Sequence, residues 1–256
     1  MLDADMPKSS RTPAKKPAPK PAAKGGKLTD YPRPSVAVDV VALTVVDGSL
    51  RVALYRRTGE PQTGTCALPG GFVHIDESLD DAAARLLASK AGFTHVFLEQ
   101  LYTFGDVHRD PRGRVIAVSY YALVDATRFA KLTDNALAAT LRVPWPGETG
   151  GPVDVLDEKR ATLALAFDHA DILGLAVKRL RGKLDYTPVG FQLLPPEFTL
   201  RQLQEIHEAV RGEELNKDSF RRRMLTSGLL EATGARERDV SYRPAELYRF
   251  VKRSAV

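Results

Sequence analysis

The chain of 256 residues is long enough for one large domain and one small one, and 43% hydrophobic with 27% charged residues is the composition of an ordinary globular protein. No apolar run approaches the ~20 residues that span a bilayer, the basic N-terminus lacks a secretory apolar stretch, and the single Cys66 excludes a disulfide scaffold or cysteine zinc site within one chain. A reducing, cytoplasmic setting without membrane contact is expected.

The formal charge of +5 is unevenly placed: residues 1–35 carry eight Lys/Arg against three Asp, and residues 196–256 carry twelve against ten acids. Two basic ends on a near-neutral body suit nucleic acid, and they equally suit solubility alone. Residues 1–34 read as a disordered basic arm. Pro7 to Lys27 is mainly Pro, Ala, Lys and Gly, with almost no large apolar residue to offset its ordering entropy.

Folded sequence is expected from Ser35. Val36 to Val46 is mostly apolar and β-branched, Asp47-Gly48 is a hairpin turn, and Leu50 to Tyr55 continues as a second strand. Thr65 to Leu68 is short and extended before the Pro69-Gly70-Gly71 break. Leu79 to Ala91 has helical spacing, with Leu79, Ala83, Leu86, Leu87 and Lys90 on one face and its edge and Gly92 as the stop. Val96 to Phe104 and Val115 to Val124 read as strands, and Glu158 to Arg181 as a further helix. Interleaved strands and helices make residues 35–185 an α/β (α+β) domain, a mixed sheet with flanking helices.

Residues 186–256 change character. Thr199 and Gln202 form a capping box, with Phe198 and Leu203 placed as a hydrophobic staple, for a helix running to Arg211 and stopping at Gly212. Asn216 caps a second helix, Lys217 to Ser227. Leu229 to Thr233 and Ala245 to Val251 then read as strands flanking a charged tip. Helix, turn, helix and hairpin is the order of a winged helix-turn-helix, although a small protein-contact domain shares it.

Gly71 to Phe93 resembles the Nudix box of hydrolases that cleave nucleoside diphosphates linked to another moiety. Five residues separate Gly71 from Glu77, seven separate Glu77 from Arg85, and six separate Arg85 from Gly92. Ala67-Leu68-Pro69-Gly70-Gly71-Phe72 matches the lead-in. Active members place glutamates where this chain has Leu86, Ser89 and Lys90. Those carboxylates hold Mg²⁺, a hard cation that needs oxygen ligands. Glu77, Arg85 and Gly92 are then structural parts of the box, Asp80 and Asp81 suit helix capping, and neither catalytic residues nor Mg²⁺ are expected.

A ligand groove can outlast its metal. Arg56 and Arg57 end a strand where the family often places an arginine on phosphates; a surface pair is the plain alternative. Gly70, Gly71 and Phe72 border the same place. Arg112 and Arg114 can meet phosphates, and Tyr102, Phe104 and Tyr120 suit either adenine stacking or core packing. His169 beside Asp168 reads as an acid–base pair or as a packed helix histidine.

Leu98 to Asp106 with Arg109 to Arg114, Ala166 to Leu173, and Leu194 to Leu200 with Asn216 to Leu225 and Leu247 to Phe250 together resemble the Nudix-related transcriptional regulators of NAD metabolism, NrtR type. The resemblance implies a homodimeric repressor that ADP-ribose or a related nucleotide releases from a near-palindromic DNA operator. On that reading Ser219, Arg222 and Thr226 face away from Phe220 toward base edges. Thr199, Lys217, Arg221, Arg223, Arg236, Arg238 and Arg243 serve phosphates or the minor groove. Residual ADP-ribose pyrophosphatase activity, or a nucleotide sensor acting through a protein partner, are the competing readings.

Overall fold

Asp47 and Gly48 are both left-handed (φ 50° and 66°), the backbone that a tight two-residue hairpin demands. The turn joins β1 (Ser35–Val46) to β2 (Ser49–Arg56). The computed structural model describes residues 27–184, 187–238, 241 and 243–251. Most of the expected basic arm and part of the hairpin tip lie outside them. Residues 1–33 form a unit of their own, whose described part holds one 3-10 turn, Leu28–Asp30; residues 34–256 form the other.

The main sheet runs β5 (Phe97–Phe104), β6 (Val115–Leu123), β1, β2, β7 (Ala136–Arg142), β8 (Asp154–Leu156). β1 and β6 are parallel and the other neighbours antiparallel, so the sheet is mixed. Two short strands, β3 (Cys66–Ala67) and β4 (Gly70–Phe72), pair with β2 and β1. Side chains alternate across β1. Val38, Val40 and Ala42 meet α1 (Leu79–Ala91), while Val41, Leu43 and Val45 join the core that holds α3 (His169–Leu184). A short helix α2 (Ala126–Phe129) closes the α1 side through Phe129.

α3 begins eleven residues later than the apolar pattern suggested. Residues before it run extended beside β3: Cys66 N–H donates to Ala164 O and Ala166 N–H to Cys66 O (2.8 Å each). That pairing, and left-handed Phe167 (φ 50°), delay the helix.

The C-terminal part holds α4 (Leu200–Arg211), α5 (Lys217–Thr226) and a hairpin of β9 (Leu230–Arg236) and β10 (Glu246–Phe250). Phe198 exchanges backbone hydrogen bonds with Tyr248 (3.0 and 2.8 Å), an isolated bridge beside the hairpin. The apolar core of the α3 face continues without a break into Phe198, Leu203, Ile206, Phe220 and Phe250. Buried Arg181 fastens the two parts. Its Nε donates to Val210 O at the end of α4 (2.7 Å) and its Nη1 to Trp145 O (3.0 Å) and Gly147 O (2.8 Å). Its guanidinium lies 4.8 Å from the Trp145 ring. Among the described residues no helix is long and apolar enough to cross a membrane.

Candidate ligand groove and DNA-facing helix

Ser78 caps α1 by accepting the Asp81 N–H, and Gly92 ends it left-handed (φ 81°). The loop before it is held by Glu77, whose carboxylate takes Arg85 Nε (2.8 Å), Arg85 Nη2 (2.5 Å) and the His74 N–H (2.7 Å). Those bonds, the Arg85 guanidinium first, hold the Glu77 carboxyl down at about 2.

The three positions where a metal needs carboxylates are otherwise engaged. Leu86 is buried, and its Cδ2 would lie 2.8 Å from a Cβ at Gly71, so the leucine fills the notch that the glycine leaves. Ser89 Oγ donates to Leu86 O (3.2 Å), and Lys90 Nζ lies 4.4 Å from the Tyr55 ring centroid. Asp80 accepts the Tyr120 hydroxyl (2.5 Å) and Asp81 the Ser78 hydroxyl (2.7 Å). Among the described residues no three His, Cys, Asp or Glu gather as a metal site. These residues do not fit Mg²⁺.

At the start of α3 lies a groove lined in part by Asp39, Arg57, Phe72, Arg109, Arg112 and Phe167. Its floor is a buried ion cluster. Arg109 grips Asp168 with two bonds (2.9 and 2.6 Å) and reaches Asp39 at 3.3 Å. His169 Nδ1 accepts the Leu68 N–H (3.1 Å), which leaves Nε2 as the protonated nitrogen, 3.6 Å from Asp39 Oδ1. Burial alone would raise Asp39, but His169 and Arg109 outweigh it and hold the carboxyl below its ordinary value. Gly70 permits this arrangement: a Cβ there would stand 2.5 Å from Asp39 Oδ1. His169 is thus a packed histidine paired with Asp39, while Asp168 belongs to Arg109.

The rim is cationic and aromatic. Arg112 forks onto Asp110 (3.0 and 2.7 Å) and lies 5.4 Å from the Phe72 ring and 6.0 Å from Phe167. Arg57 donates to Pro61 O (3.1 and 2.9 Å) and sits 4.8 Å from the Phe167 ring. Among the described groove arginines it is the one without a carboxylate partner. The groove encloses only about 70 Å³, against the ~300 Å³ or more of ordinary ligand sites. A ligand of ordinary size must therefore move side chains to enter.

Several sequence candidates stand elsewhere. Arg56 donates to Gly64 O (2.8 Å) and does not line the groove. Arg114 braces its own loop through Asp106 O (3.1 Å). Tyr120 is buried beneath α1, whose Asp80 takes its hydroxyl. Tyr102 and Phe104 meet edge to face on β5 (5.5 Å) and line no part of the groove. Tyr120 lies on the α1 face of the sheet and β5 is an edge strand, which keeps Tyr120, Tyr102 and Phe104 off the floor. Sequence reasoning passed over Asp39, Arg109 and Phe167. The signal for Asp39 was an acid inside an apolar, β-branched run, a placement that demands partners.

The second helix of the C-terminal unit, α5, buries Phe220 and Met224 and exposes Lys217, Ser219, Arg221, Arg222 and Thr226. The Asn216 side chain accepts the Ser219 N–H at its start (3.0 Å). Arg223 turns back, its Cζ 5.6 Å from the Phe220 ring. On the hairpin, Arg236 donates to Pro244 O (3.3 Å), and Arg238 and Arg243 are exposed. Thr199 leaves the candidate DNA set, because it is buried and its hydroxyl caps α4 by accepting the Gln202 N–H (3.2 Å).

Sheet, filled helix face and helix–turn–helix–hairpin define a Nudix-type domain joined to a winged helix. Residues 34–145 match the NUDIX domain family, and residues 190–250 match the NrtR DNA-binding winged helix domain. The chain is 38% identical over 224 residues to the ADPR responsive transcriptional repressor NtrR of Acinetobacter baylyi, covering 87% of this chain and 84% of that protein. Shewanella oneidensis NrtR complexed with a 27mer DNA superposes with a TM-score of 0.67 at 33% identity, over 84% of this chain and 93% of the other. A MutT/nudix family protein from Enterococcus faecalis gives a TM-score of 0.71 at 27% identity, over 88% and 89%. The chain belongs to the NrtR family.

Proposed function

We propose that this protein is a sequence-specific DNA-binding repressor whose Nudix domain binds ADP-ribose or a close relative without hydrolysing it, and that binding weakens its hold on DNA. One observation carries the reading: the catalytic face of α1 is filled by Leu86, Ser89 and Lys90, while the groove beyond it keeps its cations. A site with no carboxylate cluster cannot hold the dication that bridges a diphosphate and activates water. Arg57 suits the diphosphate, because its charge has no carboxylate partner among the described residues. The A. baylyi relative, named as an ADPR responsive repressor, supports the same assignment.

On this reading residues 35–185 sense the nucleotide, residues 186–256 hold DNA, and the basic residues of the N-terminal arm add phosphate attraction. The protein works in the cytoplasm as a homodimer, because one short helix touches too few base pairs to be selective. Two copies of α5 then read half-sites about one or two helical turns apart. The test is a gel shift of the full chain on the DNA upstream of its own gene, with and without ADP-ribose. Retarded DNA that saturating ADP-ribose releases is the expected result. ADP-ribose hydrolysis in Mg²⁺ near the ~10 s⁻¹ typical of enzymes, or no DNA binding at low salt, refutes it.

A further inference from the structure

Phe167 is a bulky apolar residue at the start of α3 whose placement the described apolar core does not explain. Its backbone is left-handed (φ 50°), a conformation that glycine adopts freely and a large side chain resists. Both flanks are pinned. On one side Ala166 N–H bonds Cys66 O, and on the other Asp168 and His169 are fixed by Arg109 and the Leu68 N–H. The Phe167 N–H itself donates to Gln62 Oε1 (2.8 Å). The chain must therefore turn left-handed here, and a glycine would make the turn with less strain. Among the described residues, the Phe167 ring also joins none of the apolar clusters that form the core. Its neighbours are polar: the Arg57 guanidinium at 4.8 Å, the His169 ring at 5.7 Å and the Arg112 guanidinium at 6.0 Å.

We infer that Phe167 is the specificity-determining residue of the groove, the face on which the planar base of the nucleotide stacks. This rests on the ligand assignment made above and goes beyond it by naming the base as what the protein reads. The geometry supplies the reason. Arg57 is tied to the Pro61 carbonyl beside the ring, so it stays. Arg112 is bonded only to Asp110 and lies between Phe167 and the exposed Phe72. Its flat guanidinium occupies the kind of space that a base requires, and it leaves by rotation of a long side chain. A half-buried ring with cations around it binds an aromatic heterocycle through π-contact and gives little to a saturated sugar.

The experiment uses the full chain and ADP-ribose, with Phe167→Gly, which suits the left-handed backbone, and Phe167→Tyr, which keeps a ring. Calorimetry on F167G is expected to show a loss of about 5- to 150-fold, the ~1–3 kcal/mol of one stacked base. F167Y stays within about threefold, a margin under 1 kcal/mol. The melting temperature of F167G equals or exceeds that of the wild type, because the strain is relieved. In the saturated wild-type complex, adenine H2 and H8 show NOEs to phenylalanine ring protons that F167G lacks. Unchanged ADP-ribose affinity in F167G, absence of those NOEs, or a melting temperature that falls along with affinity overturns the inference. Wild type that binds no ADP-ribose at all overturns the ligand assignment itself, a distinguishable failure.

Discussion

Replacing Arg181 with alanine removes a guanidinium that bonds three backbone carbonyls, Val210 O, Trp145 O and Gly147 O, and stacks on Trp145. The bonds to Val210 and Trp145 are buried and the one to Gly147 is partly so. Two buried carbonyls left without donors cost about 1–3 kcal/mol each. Against that stands the cost of keeping the guanidinium itself out of water, which the variant no longer bears. The balance is a loss of about 2–4 kcal/mol, set chiefly by the carbonyls. Lysine recovers little, since its single ammonium cannot span carbonyls on α4 and on the 145–147 segment at once. Urea unfolding followed by fluorescence of Trp145 and by far-ultraviolet dichroism measures this. We expect R181A to shift the midpoint down and to separate the two signals, as the winged helix loosens before the sheet. A change within ~0.5 kcal/mol, the size of an ordinary surface substitution, refutes the reasoning.

Three further outcomes follow from the same geometry. Leu86→Glu places a carboxylate in the notch above Gly71 and should cost about 2–4 kcal/mol, read by calorimetry; full stability would show that the helix face is open to a ligand. Glu77 should titrate near 2, so its contribution is complete above about pH 4.5 and disappears as pH falls toward 2. Carboxyl carbon NMR reports that midpoint, and Arg85→Ala should return it toward the ordinary glutamate value of 4.5. Arg222→Ala should cost about 1–3 kcal/mol on operator DNA and relax preference at one base, whereas Arg221→Ala should weaken all sequences alike and flatten the salt slope by about one unit. Equal loss on operator and scrambled DNA for R222A would move that arginine to the backbone.

The parts of the fold legible in sequence are those with local causes. Gly92 stops α1, Asp47-Gly48 turns β1 into β2, and Thr199 with Gln202 starts α4. Each is set by residues within four positions. β7 has no local signal, because Ala136 to Arg142 is rich in alanine, which lacks the β-branched signature, and its pairing with β2 joins residues from Tyr55↔Ala136 to Arg51↔Thr140, far apart in the chain. The false early start of α3 has the same origin, since Cys66 draws Ala164 and Ala166 into a bridge that no local pattern announces. The groove floor was least visible. Arg109 meets Asp39 across seventy positions and Asp168 across fifty-nine. Tyr120 and Tyr121 show how one step decides a role: adjacent on β6, they bond Asp80 and Glu99 on opposite faces of the sheet.

α3 touches the groove with its first residue and the winged helix near its last turn, where Arg181 holds the α4 carbonyl. The span between His169 and Arg181 is about 18 Å of continuous helix, a strut that is stiff in length. Under the coupling proposed above, the two binding reactions then share one mechanical part and tax each other equally: whatever factor the nucleotide takes from operator affinity, the operator takes from nucleotide affinity. A repressor seated on a strong site therefore needs a higher nucleotide concentration to leave than one seated on a weak site. A set of operators of graded strength would be released in sequence by a single rising signal, weakest first, with no second sensor required.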